Sequence, residues 1–331
     1  MSSVHQKKPL VSIALATYNG EAFLAEFLVS INAQCWTDLE IVVSDDCSTD
    51  RTREILQGYR GVVPLKIVGA SQRLGIVGNF ERAMSACSGD YIALADQDDV
   101  WDRGKITGLV TQLQHAEAAH GAGVPLLAFS NVELVDEKLQ HLSPSFFKVT
   151  GKSTRVARLR DFLLSNHIPG CSMLFNRATL TLALPIPTQF AMHDWWISMV
   201  VAAYGKIIYV DRPYVRYRQH SGNAVGAGVV PNKPATTAIT PHSVKARRDR
   251  KLAQAVQVLT NLQCFGVRFD GKLPPDACHD LRLLDRASRG LWSNVRFVCS
   301  ARTGEPPYRA IKLLRRLRHA AVVANPSREA T

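Results

Sequence analysis

Apolar residues along this chain fall into short continuous runs of strand length, separated by stretches with helical spacing. Val11-Ser12-Ile13-Ala14-Leu15-Ala16-Thr17 is such a run, and Tyr18-Asn19-Gly20 breaks it. Over residues 21–33 the apolar positions Phe23, Leu24, Phe27, Leu28 and Ile31 recur on one side of a helix. Residues 39–44 predict a second strand ending in Asp45-Asp46, after which Ser48-Thr49-Asp50 can cap a helix through Tyr59. A third strand is expected over residues 63–68, then a helix near 79–86, then a buried strand at Tyr91-Ile92-Ala93-Leu94-Ala95. Residues 105–120 are helical in pattern and 126–131 strand-like, while 132–158 read as a polar, irregular surface excursion. The stretch 166–176 ends a loop and enters a strand, 193–203 predict a helix, and 206–210 another strand. Tyr214-Val215-Arg216-Tyr217-Arg218 alternates as an edge strand does.

Strand–helix alternation of this kind implies a parallel sheet with helices on both faces, and such sheets bind ligands beyond the carboxyl ends of their strands. Thr17, Asp46 and the acids from Asp96 to Asp99 all follow strand ends, so polar residues gather on one rim.

Composition adds little to this picture. The chain of 331 residues is 46% hydrophobic and 21% charged, enough for one large α/β domain with an appendage. Residues 1–9 carry no apolar run of a secretory signal, and nowhere do eighteen apolar residues follow one another. The seven cysteines (35, 47, 87, 171, 264, 278 and 299) are scattered, without a C-x-x-C pair, and read as reduced packing residues of a cytosolic protein.

Charge divides the chain. Residues 241–331 hold 18 Lys and Arg against 7 Asp and Glu, whereas residues 1–240 hold 22 against 21, so the tail carries the net +12. Two functional regions are expected, a balanced one over 1–240 and a basic helical one over 241–331.

The chemistry concentrates at Asp96-Gln97-Asp98-Asp99. Three carboxylates within four positions repel one another and need a compensating cation or a solvated turn. Their hard oxygens suit Mg²⁺ or Mn²⁺, and a bound ion can hold a nucleotide diphosphate. The alternative is an acidic turn capping the helix that follows. No G-x-G-x-x-G lies in the first strand–helix turn and no P-loop occurs, which disfavours a dinucleotide dehydrogenase or P-loop kinase.

Ala16-Thr17-Tyr18-Asn19-Gly20, Val43-Ser44-Asp45-Asp46-Cys47-Ser48-Thr49-Asp50 and Asp96-Gln97-Asp98-Asp99, in that order, resemble family-2 glycosyltransferases over roughly residues 10–225. The resemblance implies an α/β GT-A fold, a Rossmann-like mixed sheet with helices on both faces. It divides the first region into a donor half, about 10–130, an acceptor half, about 131–225, and a Gly-, Pro- and Thr-rich lid or linker over 226–240. It implies that Thr17, Asn19 and Asp46 contact the donor, that Asp96 and Asp98 form the D-x-D motif, and that Asp99 lies near the metal. Cys47 stands where the family usually has Gly or Asn, a departure expected to alter the turn. Arg73 and Asn79 fall on a donor-facing loop, or serve as a surface arginine and a helix-start asparagine.

Asp194, in His193-Asp194-Trp195-Trp196, occupies the place of the family's catalytic base, and a tryptophan beside it could wall a sugar ring. The other reading is an acid stabilised by a helix N-terminus, with the tryptophans in the core. His220 falls where the family has a histidine beside the metal, and Arg218 could pair with phosphate oxygens. The motifs look most like the rhamnosyltransferase branch. They imply an inverting transfer from a dTDP- or UDP-sugar, dTDP-rhamnose first, to a saccharide or lipid-linked acceptor. A nucleotidyltransferase and a non-catalytic scaffold are the alternatives.

The tail predicts helices over 244–264 and 308–323. In the second, Ala310, Leu313, Leu314, Leu317 and Ala321 face one way and Arg309, Lys312, Arg315, Arg316 and His319 the other. That helix could lie on an anionic membrane at its cytoplasmic face, or pack on the first region. No module or aromatic interleaving supports nucleic acid.

Overall fold

A computed structural model describes residues 8–69, 71–223, 241–289, 311–314 and 317. Its first half alternates strand and helix: β1 (Val11–Thr17), α1 (Leu24–Asn32), β2 (Leu39–Asp45), α2 (Thr52–Gln57), β3 (Leu65–Val68), α3 (Gly75–Ser85) and β4 (Tyr91–Asp96). These four strands run parallel in the order β3-β2-β1-β4. Ile13, Ala14 and Leu15 of β1 and Ile92 to Ala95 of β4 are fully buried, because helices cover both faces and every position must be apolar. Strand β1 has β2 on one side and β4, which the chain reaches from β3, on the other, so the connections diverge there and open a crevice at the carboxyl ends. Register sets Thr17 beside Asp45 and Ala16 beside Asp96, so the two acidic strand ends flank the end of β1.

The second half makes the sheet mixed. It comprises β5 (Val100–Trp101), α4 (Lys105–His120), β6 (Leu126–Val135), β7 (His141–Ser143), α5 (Phe146–Thr150), α6 (Leu159–Phe162), a 3₁₀ turn (Gly170–Ser172), β8 (Met173–Asn176), α7 (Arg177–Ala183), α8 (His193–Tyr204) and β9 (Lys206–Arg218). Strand β8 inserts antiparallel between β4 and β6, which the alternation alone does not foretell. Long β9 runs parallel to β6 with register shifts around Asn131, where Pro213, lacking an N–H, sits opposite.

Two expectations are corrected here. The Tyr214–Arg218 alternation is no edge, because β5 pairs antiparallel with β9 at Val215 and Arg216 and covers its outer side. Nor is 132–158 a polar excursion throughout. Strand β6 continues to Val135, and Phe146, Phe147 and Val156 are buried, with Phe147 against Phe129 and Tyr209. One pair of phenylalanines has no periodicity to reveal its burial.

The tail packs on the acceptor half. Helices α9 (Pro241–Arg268) and α10 (Pro275–Arg289) follow, the latter unforeseen from the pattern. Phe265 and Phe269 lie on Trp196 of α8, and Asn261 accepts from the Ala191 N–H at 3.0 Å. Asp280, 1% exposed, accepts from the Arg160 N–H and faces the Arg158 and Arg160 guanidinium groups at 3.6 and 3.8 Å. Of the helix expected over 308–323, residues 311–314 and 317 are helical, with Leu313, Leu314 and Leu317 buried. The expected lid over 226–240 lies outside the described residues. Among the described residues no helix is long and apolar enough to cross a membrane.

Candidate active site

The rim begins at the end of β1. Asn19 adopts φ +46°, a left-handed turn that asparagine tolerates, and its Oδ1 accepts from the Thr49 N–H at 2.9 Å. Gln97 clamps this turn to the acidic motif, accepting from the Tyr18 N–H and donating to the Tyr18 carbonyl. A Cβ on Gly20 would meet the Gln97 amide at 2.2 Å, so glycine here is a matter of space. Thr17 is buried and donates to Asp45 Oδ1 at 3.0 Å. Burial works against a charge on Asp45, but donors from Ser48, Arg53 and Thr17 outweigh it and hold the carboxyl below its usual range.

Asp46, 3% exposed, accepts from the N–H groups of Leu74 and Gly75 at 2.6 and 2.9 Å and thereby ties down the entry to α3. Arg73 approaches the same carboxylate at 3.6 Å and lies 3.8 Å over the ring of Tyr18, and both side chains are exposed. The buried Asn79 amide donates to the Thr17 carbonyl and accepts from Ser44 and Arg82. Cys47 sits at φ +62°, so the turn keeps the left-handed form that glycine or asparagine would favour.

The acidic motif follows β4. Asp98 Oδ2 lies 2.8 Å from His220 Nε2, and His220 Nδ1 accepts from the Gly222 N–H. That second bond places the ring proton on Nε2, facing Asp98. Burial, then the charges of Asp98 and Asp194, push the Asp96 carboxyl up to about 7. Asp99 is fully buried. Its Oδ1 accepts from the Arg218 N–H, its Oδ2 has no hydrogen-bond partner among the described residues, and burial raises it well above the carboxylate range.

Arg218 departs from expectation. The side chain is 2% exposed and donates to the carbonyls of Asp98 and Glu137 and to Glu26 Oε2, with Phe23 stacked on the guanidinium at 4.5 Å. It braces the acidic turn from behind and is not free for a phosphate. Trp196 is likewise core, its indole donating to the Ala183 carbonyl, whereas Trp195 is half-buried and donates to the Phe162 carbonyl.

Asp194 lies in the first turn of α8, and its Oδ1 accepts from the Trp195 N–H at 2.7 Å. Burial pushes its carboxyl up to about 6, against hydrogen bonds and the Lys152 charge. The structure therefore brings Asp96, Asp98, Asp99, Asp194 and His220 together, with Thr17, Asn19, Asp46, Arg73 and Asn79 on the adjoining rim.

Lys105 was missed by sequence reasoning. It is fully buried at the start of α4, 3.1 Å over the Trp101 ring, and donates to the Cys171 carbonyl at 2.6 Å. Burial outweighs the carboxylates and lowers its ammonium to about 7. A lysine at a helix start normally reads as solvated, so no local signal marks it.

The donor set fits a hard divalent ion. Asp96 and Asp98 offer crowded oxygens, His220 offers an imidazole, and Asp99 adds a buried oxygen with no hydrogen-bond partner among the described residues. Asp96, Asp99 and Cys171 each place a ligand atom within 4.8 Å of one another, but burial raises the Cys171 thiol and keeps it protonated.

A Rossmann-like half whose crevice carries a D-x-D cluster, joined to a second half that presents an acid at a helix start, defines a GT-A glycosyltransferase. The sequence matches the family description "Glycosyl transferase family 2" over residues 12–181. The chain belongs to that family. It is 28% identical over 229 residues to the dTDP-rhamnosyl transferase RfbG of Shigella flexneri, covering 65% of this chain and 74% of the relative. To the putative teichuronic acid biosynthesis glycosyltransferase TuaG of Bacillus subtilis it is 27% identical, covering 60% and 76%. Among solved structures, TarS 1–349 of S. aureus with UDP-GlcNAc superposes with a TM-score of 0.53 at 17% identity, covering 96% of this chain and 92% of that one. The mannosyltransferase PcManGT of Pyrobaculum calidifontis, with GDP-Man and Mn²⁺, gives 0.51 at 19% identity, covering 96% and 87%.

Proposed function

We propose that this enzyme transfers rhamnose from dTDP-rhamnose to a hydroxyl of a saccharide or lipid-linked acceptor, with inversion. The observation that carries the catalytic reading is Asp194, a half-buried carboxyl near pH 6 that shares its surroundings with Asp96. Above that pH it is an ionised base able to take the acceptor's proton, and its place in the first turn of α8 steadies the charge. Asp96 and Asp98, with His220 and Asp99 beside them, would hold Mg²⁺ or Mn²⁺. When bound, such an ion supplies positive charge to the departing nucleoside diphosphate. Arg218 keeps the turn bearing Asp98 in place, Gln97 joins it to the Tyr18 loop, and the Tyr18–Arg73 pair offers an exposed flat surface for the nucleotide.

The name of the Shigella relative supports dTDP-rhamnose, and the UDP-GlcNAc bound by TarS supports a UDP-sugar as the alternative. A panel of nucleotide sugars, scored for release of nucleoside diphosphate with and without Mn²⁺, decides between them. Release from dTDP-rhamnose alone is expected; release from UDP-sugars alone refutes the donor, and no release from any refutes the transferase reading in favour of a scaffold. The basic tail would attach to an anionic membrane by charge only, because Leu313, Leu314 and Leu317 are already buried against protein.

A further inference from the structure

His193 opens α8 one residue before the proposed base. Its side chain is 4% exposed and stacked on Phe80 of α3, with ring centroids 3.7 Å apart. Both ring nitrogens are buried, and neither has a hydrogen-bond partner among the described residues. A neutral imidazole carries one donor and one acceptor, and leaving both unmet in a folded interior is costly, so such a group calls for a partner that is absent among the described residues.

The surroundings indicate where that partner sits. A Cβ built on Gly170 would lie 3.3 Å from His193 Nε2, 3.4 Å from Asp194 Cβ and 3.8 Å from Asp194 Oδ2. The bare face of Gly170 is thus a cradle onto which His193 Nε2 and the Asp194 carboxylate both converge. Gly170 and Asp194 are each partly exposed, so the cleft reaches the edge of this cradle, and a ligand meets Nε2 once the packing over it shifts. Phe80 belongs to the donor half, and it holds the imidazole on that side of Asp194.

We propose that His193 is a specificity-determining residue that hydrogen-bonds a hydroxyl of the donor sugar through Nε2, over the bare face of Gly170. The inference rests on the transferase reading above. Burial lowers the His193 imidazole to about 3, so the ring stays neutral and offers both a donor and an acceptor at every working pH. At Nε2 a hydroxyl answers whichever role that nitrogen carries, donor or acceptor, whereas a phosphate or carboxylate would answer only a donor.

The test uses hydrolysis of the donor by water, which needs no acceptor. The full chain and His193→Phe are compared on dTDP-rhamnose and its 2-, 3- and 4-deoxy forms, or on UDP-N-acetylglucosamine and its deoxy forms if the wild type cleaves that donor. Phenylalanine keeps the ring on Phe80 and removes both unmet nitrogens, so the variant should fold and melt no lower than wild type. One deoxy donor should lower wild-type kcat/KM about tenfold. His193→Phe should lose about tenfold on the intact donor and nothing further on that same deoxy donor. If the variant folds poorly, His193→Asn takes its place in the same comparison. Two results overturn the inference: hydrolysis of the intact donor within twofold of wild type, or equal losses by variant and wild type on every deoxy donor. A loss confined to transfer, with hydrolysis unchanged, also overturns it, since the contact would then be with the acceptor. Absence of nucleoside diphosphate release from dTDP-rhamnose alone bears instead on the donor assignment, and absence from every donor on the transferase reading.

Discussion

Removing the Arg218 guanidinium separates a brace from a phosphate contact. In Arg218→Met the aliphatic stem survives, but the Asp98 and Glu137 carbonyls lose a charged donor and Glu26 loses its 2.5 Å partner. A hydrogen bond to a charged group contributes roughly 1.5–3 kcal/mol. Water can reach part of the exposed Glu137 segment, and the Glu26 carboxylate is 49% exposed, so that ion pair adds only about 0–1 kcal/mol. The net destabilisation should be about 3 kcal/mol, measured as a shift in the urea midpoint at unchanged slope. Arg218→Lys, able to reach at most one or two of the three acceptors, should fall between. Calorimetry of Mn²⁺ with dTDP supplies the second readout, since a loosened Asp98 turn should weaken binding in step with lost stability. If Arg218→Met keeps the wild-type urea midpoint while nucleotide affinity collapses, the guanidinium faces the ligand and the bracing argument is wrong.

Asp194→Asn should lower transfer by about 10²–10⁴-fold with donor affinity unchanged, and wild-type activity should fall on acidification through about pH 6 as the base takes up its proton. The same raised value helps folding below about pH 4 and ceases to help as pH rises through about 6, so Asn should raise the melting temperature at pH 7.5 and leave it unaltered at pH 4. Gly205→Ala drives a Cβ to 1.7 Å from the Pro125 carbonyl, which accepts from the Lys206 N–H where β9 begins. It should destabilise by more than about 3 kcal/mol, whereas Gly20→Ala only displaces the flexible Gln97 amide and should cost about 1–2 kcal/mol; paired denaturant melts rank them. Leu314→Ala should cost about 2–4 kcal/mol if the tail helix is held by packing, and an unchanged melt would show that its burial contributes nothing.

Short-range signals made much of this protein legible. The runs at Val11–Thr17, Leu39–Asp45 and Tyr91–Asp96 announce strands because burial on both faces demands unbroken apolar residues. Carboxylates that follow such runs must lie at strand ends, so the rim with Thr17, Asp46 and Asp96 could be drawn from the chain alone. What the sequence could not decide was which polar groups face solvent and which face another part of the fold. Arg218 meets Asp98 across 120 positions, and Lys105 meets Cys171 across 66. The antiparallel insertion of β8 and the docking of α9 and α10 on Trp196 are likewise set by partners far along the chain. A long cationic side chain carries the same letters whether it is hydrated or buried on a carbonyl. Only the tertiary structure, by bringing distant acceptors to it and excluding water, determines which.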